Sequence, residues 1–243
     1  AEDGHAWETA AGAADLAAAE RDLESRLLAV AADADVRKLM DGISGATEKA
    51  TVSKAISTLE MGDRGLIEGI CLTRSLDDSQ VLIDVPAGSS SGTASCGSAA
   101  FTDRVLAAPP GGVVRSTSYG ADRSRRLLIG TELMGAGRKT AGVLSAEVSL
   151  RDLFAATPSA AGTGTSAALV DMSTNTTIAG ARTDAVISGT DIEGTRPLGS
   201  LRVRVNGIVT GHEGTAEVLS DAGWTATAAP LFESDDGARF GLI

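Results

Sequence analysis

The sequence predicts an α+β protein: a long N-terminal helix followed by two modules, each an antiparallel sheet of about five strands with helices. Three observations predict it. Residues 1 to about 61 contain no proline and are rich in Ala, Leu, Glu and Arg, a helical composition. From Leu66 onward the pattern changes to short β-rich runs separated by turn residues. Finally, a hairpin, a helical crossing and three strands occur in that order twice, a repeat of topology without a repeat of identity. The predicted bounds are 1–62 for the helix, 63–149 for the first module and 150–243 for the second.

Within the N-terminal segment Leu16, Leu23 and Val30 fall at heptad spacing, and Leu27 joins their face four residues after Leu23. A break is expected near Ala32 to Ala34, after which "DADVRKLM" renews the helix with Asp33 or Asp35 placed to cap it. "SGATEKATVSKAISTLE" continues it, loosened at Gly42 and Gly45. Such a helix either packs on its own domain or serves as a stalk that dimerises, and the two are compatible.

The first module begins with "GLIEGICLTRS", the turn "SLDDS" and "QVLIDV", a hairpin. "PAGSSSGTASCGSAA" lacks large side chains and reads as a loop. "AFTDRVLAA" reads as a short helix stopped by "PPGG", and "VVRSTSY", "RRLLIGTEL" and "TAGVLSAEV" as three strands. Then "AGVLSAEVSLRDLF" runs from a strand into a helix with no loop residue, with Ser149 at the N-cap and Asp152 three positions on. In the second module "TSAALVDM", "STN" and "TTIAGA" form a hairpin, "DAVISGT" is a candidate short helix, "SLRVRVNG" is ambiguous, and the last thirty or so residues read as three strands.

Composition excludes several functions. A net charge of −11 repels phosphate backbones, and no basic stripe with interleaved aromatics occurs, so a nucleic-acid partner is not expected. Hydrophobic residues make up 43% of the chain but aromatics only 3%, so the core must come from Leu, Ile and Val. No run is long and apolar enough to span a membrane, and none reads as a signal peptide. Both ends nevertheless look cut, one inside a helix and one inside the strand "RFGLI", as in a piece of a longer membrane-anchored protein. The two cysteines, Cys71 and Cys96, are either unrelated buried thiols or one disulfide formed in an oxidising compartment. With His5 and His212 far apart, no metal set assembles and no cofactor is expected.

Catalytic patterns fail on context. Gly88 to Gly92 matches a GxSxG nucleophile elbow but lies in a serine–glycine loop without the strand and helix such an elbow needs. "GAGRKT", Gly135 to Thr140, has a phosphate-loop flavour, but a hairpin turn accounts for it. Asn175-Thr176-Thr177 matches a glycosylation sequon and is turn chemistry as well. A non-enzymatic role is expected.

Four segments in order carry a family resemblance: "GICLTRSLDDSQVLIDV", "LLIGTELMGAGRKTAGVLSAEVSLRDLF", "AALVDMSTNTTIAG" and "GWTATAAPLFESDDGARFGLI". Behind a long helix, they resemble the double Cache sensor, a pair of PAS-like modules that forms the extracytoplasmic sensing region of bacterial receptors. The resemblance covers nearly the whole chain. It implies a small-molecule ligand, a small carboxylate or an amino acid, bound in the membrane-distal module. It also implies a cell-membrane receptor with a cytoplasmic diguanylate cyclase, histidine kinase or chemoreceptor output, and a homodimer through the N-terminal helix. A structural or protein-binding module without a ligand is the competing reading.

In the resemblance the distal pocket is lined by the central strands and the loop above them. Here that implies Arg115, Thr117 and Tyr119, then Asp122, Arg126, Thr131 and Glu132. Alternation puts Arg115, Thr117 and Tyr119 on one strand face, with Ser116 and Ser118 on the other. If the first face meets the pocket, an arginine beside an aromatic suits a carboxylate. Otherwise these are a solvated arginine and a core tyrosine. The proximal module offers Asp171, Arg182, Asp184, Arg204 and Trp224, of which Asp171 is expected to cap its turn and Trp224 to fill core, so this module is expected to transmit rather than bind.

Overall fold

The computed structural model describes residues 2–40, 50, 53, 66–74, 80–86, 98–119, 124–135, 140–157, 167–180, 199–209, 217–221 and 224–243. They form, in chain order, α1 (Glu2–Ala32), α2 (Ala34–Met40), β1 (Ile67–Arg74), β2 (Gln80–Pro86), α3 (Ala99–Ala107), β3 (Val113–Tyr119), β4 (Arg125–Met134) and β5 (Thr140–Ser149). Then follow α4 (Leu150–Ala155), β6 (Ala168–Asp171), β7 (Thr176–Gly180), α5 (Gly199–Val209), β8 (Glu217–Asp221), β9 (Trp224–Glu233) and β10 (Arg239–Leu242). The five-stranded sheets run β2-β1-β5-β4-β3 and β7-β6-β10-β9-β8, the same antiparallel order twice.

Two compact units emerge: Arg21–Ser149, and Ala1–Glu20 with Leu150–Ile243. Helix α1 therefore contributes its first part to one unit and its second part to the other. Leu16, Leu23 and Leu27 are buried, while Val30 is half-exposed. The helix breaks at Asp33, whose Oδ1 accepts from the backbone N–H of Asp35 at 2.8 Å and of Val36 at 3.3 Å. Asp33, not Asp35, is the cap of α2. The continuation expected through Gly42 and Gly45 lies outside the described residues.

Strand β5 ends at Ser149 and α4 starts at Leu150, so the join has no intervening residue. Ser98 caps α3 by accepting from Phe101 N at 3.2 Å. The "PPGG" stop is a turn in which Gly112 N donates to Pro109 O at 2.7 Å, with Gly111 at φ +77°. The ambiguous "SLRVRVNG" is helix α5. Its apolar residues alternate like a strand, but Val205, Ile208 and Val209 are buried at helical spacing while Val203 is 70% exposed. "DAVISGT" lies outside the described residues, as do Gly88 to Gly92.

In each unit the helix between the second and third strands lies on the sheet and closes at a glycine. Phe101 and Val105 of α3 cluster with Val114, Leu128 and Val143. A Cβ on Gly130 would fall 2.6 Å from the Phe101 ring. Val205, Ile208 and Val209 of α5 cluster with Ala168, Val170 and Ala228, and a Cβ on Gly241 would fall 2.5 Å from Val209. The missing side chain is what lets helix and sheet approach.

Gly130→Ala should therefore lower the unfolding free energy by about 1–3 kcal/mol through overpacking. Gly207→Ala, at an exposed helical position with nothing within 4 Å of the new Cβ, should raise it by roughly 1 kcal/mol through helix propensity. Urea denaturation of both variants checks the pair, and equal effects would refute the close-approach account.

Candidate functional site

In sheet β2-β1-β5-β4-β3 the strands β1, β4 and β5 are largely buried on both faces, and the two faces differ in chemistry. The pairing register fixes which residues share a face. Val113, Arg115, Thr117 and Tyr119 of β3 stand opposite Thr131, Ile129, Leu127 and Arg125 of β4. Leu127, Ile129 and Thr131 in turn stand opposite Val148, Ala146 and Leu144 of β5, and the last two continue to Ile70 and Leu72 of β1. This face is largely apolar. Glu24 of α1 reaches it and pairs with Arg115, Nη2 to Oε1 at 2.7 Å.

The opposite face lies under α3. It carries Ser116 and Ser118 of β3, Arg126, Leu128, Gly130 and Glu132 of β4, and Val143, Ser145, Glu147 and Ser149 of β5. Ser116, Glu132, Ser145, Glu147 and Ser149 are all buried, Glu132 at 7% exposure and Glu147 at 5%. Burying this much polarity is costly unless the groups satisfy one another. Arg126 does much of that, its Nε pairing with Glu68 Oε2 and its Nη1 lying 3.5 Å from Glu147 Oε2. Ser118 Oγ donates to the other Glu147 oxygen at 2.6 Å. From above, Arg104 Nη2 of α3 donates to Ser116 Oγ at 2.9 Å. One guanidinium thus joins β1, β4 and β5, and a hydroxyl adds β3.

The residues singled out in the sequence are divided by this register. Arg126 and Glu132 lie on the polar face under α3. Arg115, Thr117 and Thr131 lie on the apolar face, where Thr131 is fully buried and donates to Gly112 O at 2.8 Å. The face of Arg115 is the one that Glu24 of α1 reaches, and the two side chains form an ion pair. Tyr119 ends the edge strand at 59% exposure, with the Arg125 guanidinium 4.5 Å from its ring centre. Asp122 lies outside the described residues. Arg104, Ser118 and Glu147 were missed. The pairing register joins Ser118 to Glu147 and the placement of α3 brings Arg104 to Ser116, and no local pattern announces either.

Cys71 faces the α3 side, opposite Ser145, and is disulfide-bonded. Cys96 lies outside the described residues. In the second unit Asp171 is fully buried and caps its turn, Oδ1 accepting from Ser173 N at 2.9 Å and Thr174 N at 3.3 Å, with Asn175 at φ +55°. Arg204 is exposed on α5, while Arg182 and Asp184 lie outside the described residues. Trp224 begins β9. Among the described residues no helix is long and apolar enough to cross a membrane.

Arg126→Met should destabilise the protein by about 3 kcal/mol, because it removes the guanidinium that pairs with Glu68 and with the buried Glu147. Arg126→Met with Glu147→Gln should recover part of that loss. Chemical denaturation of the two variants measures it, and a neutral single variant would sink the account.

Comparison with solved structures places this architecture among known ones. The sensory domain of the Campylobacter jejuni chemoreceptor Tlp3 superposes with a TM-score of 0.58 at 11% identity, covering 99% of this chain and 93% of that one. Structures of that receptor hold L-norvaline, isoleucine or L-valine. A domain of a sensory box/GGDEF family protein from Vibrio parahaemolyticus gives 0.66 at 10% identity, covering 100% and 94%. The ligand-binding domain of the Pseudomonas aeruginosa amino acid chemoreceptor PctC, in complex with GABA, gives 0.56 at 12% identity, covering 99% and 97%. No protein-family model and no curated protein matches the chain. At these identities the likeness is one of fold, end to end: the chain has the fold of bacterial sensory and ligand-binding domains of the Cache type.

Proposed function

We propose that this chain is the extracytoplasmic sensing domain of a bacterial membrane signalling receptor. It binds a small carboxylate or amino acid in the module spanning 63–149, and the module spanning 150–243 passes the event toward a cytoplasmic diguanylate cyclase, histidine kinase or chemoreceptor output. The observation that carries the reading is the buried polar face under α3, in a fold otherwise built into sensory domains. A sheet that only needed stability would extend the hydrocarbon of Val114, Leu128 and Val143 over the whole of this face rather than bury Glu132 and Glu147 beside it. Groups of both charges there suit a ligand that is itself charged. Binding rather than catalysis fits as well, since the solved structures it resembles are sensory and ligand-binding domains.

An extracytoplasmic setting is supported by the disulfide at Cys71. Cys96 is the other cysteine of the chain and the proposed partner. A loop of about 25 residues closed this way contributes roughly 3 kcal/mol. Reduction, or Cys96→Ser, should lower stability by that amount, and an unchanged denaturation midpoint would argue against the pairing.

A second reading has its own support. The exposed side of α1 carries Ala14, Ala18, Ser25 and Ala29, small residues that allow close helix contact. A ligand-free dimerisation or partner-binding module would use that side. The sensing reading also places a homodimer there, so only ligand response separates the two.

A thermal-shift panel of L-amino acids, GABA and small carboxylates tests the proposal. A ligand at 100 times its dissociation constant should stabilise by about 2.7 kcal/mol, a rise of several degrees in Tm. A silent panel together with a dimer in solution would favour the structural module.

A further inference from the structure

Among the described residues β3 is an edge strand, hydrogen-bonded to β4 on one side. With half of a central strand's ladder, it depends on its side chains for the rest of its hold. They supply it on both faces. Consecutive residues of a strand point to opposite faces, and Arg115 and Ser116 each meet a different helix. Arg115 Nη2 lies 2.7 Å from Glu24 Oε1 of α1, with both side chains mostly buried. Ser116, itself buried, accepts from Arg104 Nη2 of α3 at 2.9 Å.

Each helix has its own seat. Phe101 and Val105 set α3 against Gly130 of β4. Leu23 and Leu27, on either side of Glu24 in the chain, are buried. Two helices are thus tied, from opposite faces, to consecutive residues whose Cα atoms are about 3.8 Å apart across one rigid peptide. A strand paired along one edge twists about its own axis more freely than one paired along both. Such a roll carries Arg115 and Ser116 in opposite senses. A shift of α3 that draws on Ser116 therefore pulls Arg115 against Glu24. Ser118, on the face of Ser116, fixes the strand two residues on by donating to Glu147 of β5 at 2.6 Å.

We propose that β3 is a cross-brace that couples α3 to α1 within the unit Arg21–Ser149, so that loosening either helix loosens the other. The coupling belongs to the architecture of this unit and does not depend on what the chain binds. Both ties use a guanidinium, one to a carboxylate and one to a hydroxyl, and hydrogen bonds from an ionised donor are the stronger kind. The coupling is mutual: what the seat of α3 contributes to α1, the seat of α1 contributes to α3. Side chains on different helices that share no partner ordinarily act independently. Dependence between Arg104 and Glu24 is therefore the signature of the brace, and Arg115 and Ser116 are its positioning residues.

Hydrogen–deuterium exchange, read peptide by peptide on the ligand-free chain, tests it in the wild type, Arg104→Met, Glu24→Met and Arg115→Met. Arg104→Met should speed amide exchange over residues 21–32 of α1 by at least about 5-fold. Exchange in β1 and β5 should stay within about 2-fold of wild type, the scatter expected of independent sites. Glu24→Met should likewise speed exchange in α3. In Arg115→Met, where the brace is already cut, adding Arg104→Met should change α1 no further. An Arg104→Met that loosens α3 alone overturns the brace, and so does an effect on α1 that persists in the Arg115→Met background. Equal acceleration in α1, β1 and β5 shows a general loss of stability and overturns it as well. Ser116→Ala cuts the same tie from the strand side and carries the test if Arg104→Met does not fold. Unchanged exchange of α1 in that variant overturns the brace, and every one of these outcomes leaves the sensing function to its own ligand panel.

Discussion

The structure of the first module depends on one constraint: its central strands are buried on both faces, and side chains alternate between them. A one-residue slip of β4 against β5 would send Glu132 and Arg126 into the hydrocarbon around Leu144 and Ile70 and bring Leu127 and Ile129 under α3. The apolar face resists this by the area it would expose. The polar face resists it through Arg126, which holds Glu68 and Glu147 only in the observed register. Two unlike forces thus specify one pairing. The ionic one contributes specificity more than stability, since a buried ion pair recovers little beyond its own desolvation.

From that constraint the placement of the helices follows. Helix α1 meets the apolar face, with an amphipathic stripe and the Glu24–Arg115 pair. Helix α3 takes the polar face and meets it with two apolar residues and an arginine. The second unit keeps the same strand order and the same glycine-mediated closure, with Val209 at Gly241 in place of Phe101 at Gly130. Its covering helix brings Val205, Ile208 and Val209 down on the sheet, and Arg204 stays in solvent. Among the described residues the same scaffold thus buries charged groups beside the hydrocarbon cluster under α3, and a hydrocarbon cluster under α5.

Much of the fold was legible in the sequence because it is local. The proline-free helix, the break capped by Asp33, the strand running straight into α4 and the turn capped by Asp171 are each written in a few adjacent residues. Helix α5 was ambiguous because Leu201, Val203 and Val205 alternate like a strand. Only the sheet beneath selects Val205, Ile208 and Val209 and leaves Val203 outside. The candidate site was half legible for the same reason. Alternation states which of Arg115, Ser116, Thr117 and Ser118 share a face. It does not state which helix covers that face. Arg126 and Glu132 were picked out by their strand, whereas Arg104 sits in a stretch whose only local message is that it is helical.

Tyr119, at the end of β3 and stacked by Arg125, is the sole tyrosine of the chain. The next residue after Arg125 is the guanidinium that holds the polar face together. Nature has therefore placed a single phenol, open to solvent, one residue from the hub of the buried charges. Fluorotyrosine incorporated during expression would put one fluorine nucleus in the whole molecule, at that spot. It would give a single resonance through which rearrangements of the buried charges can be watched from outside, with no substitution made.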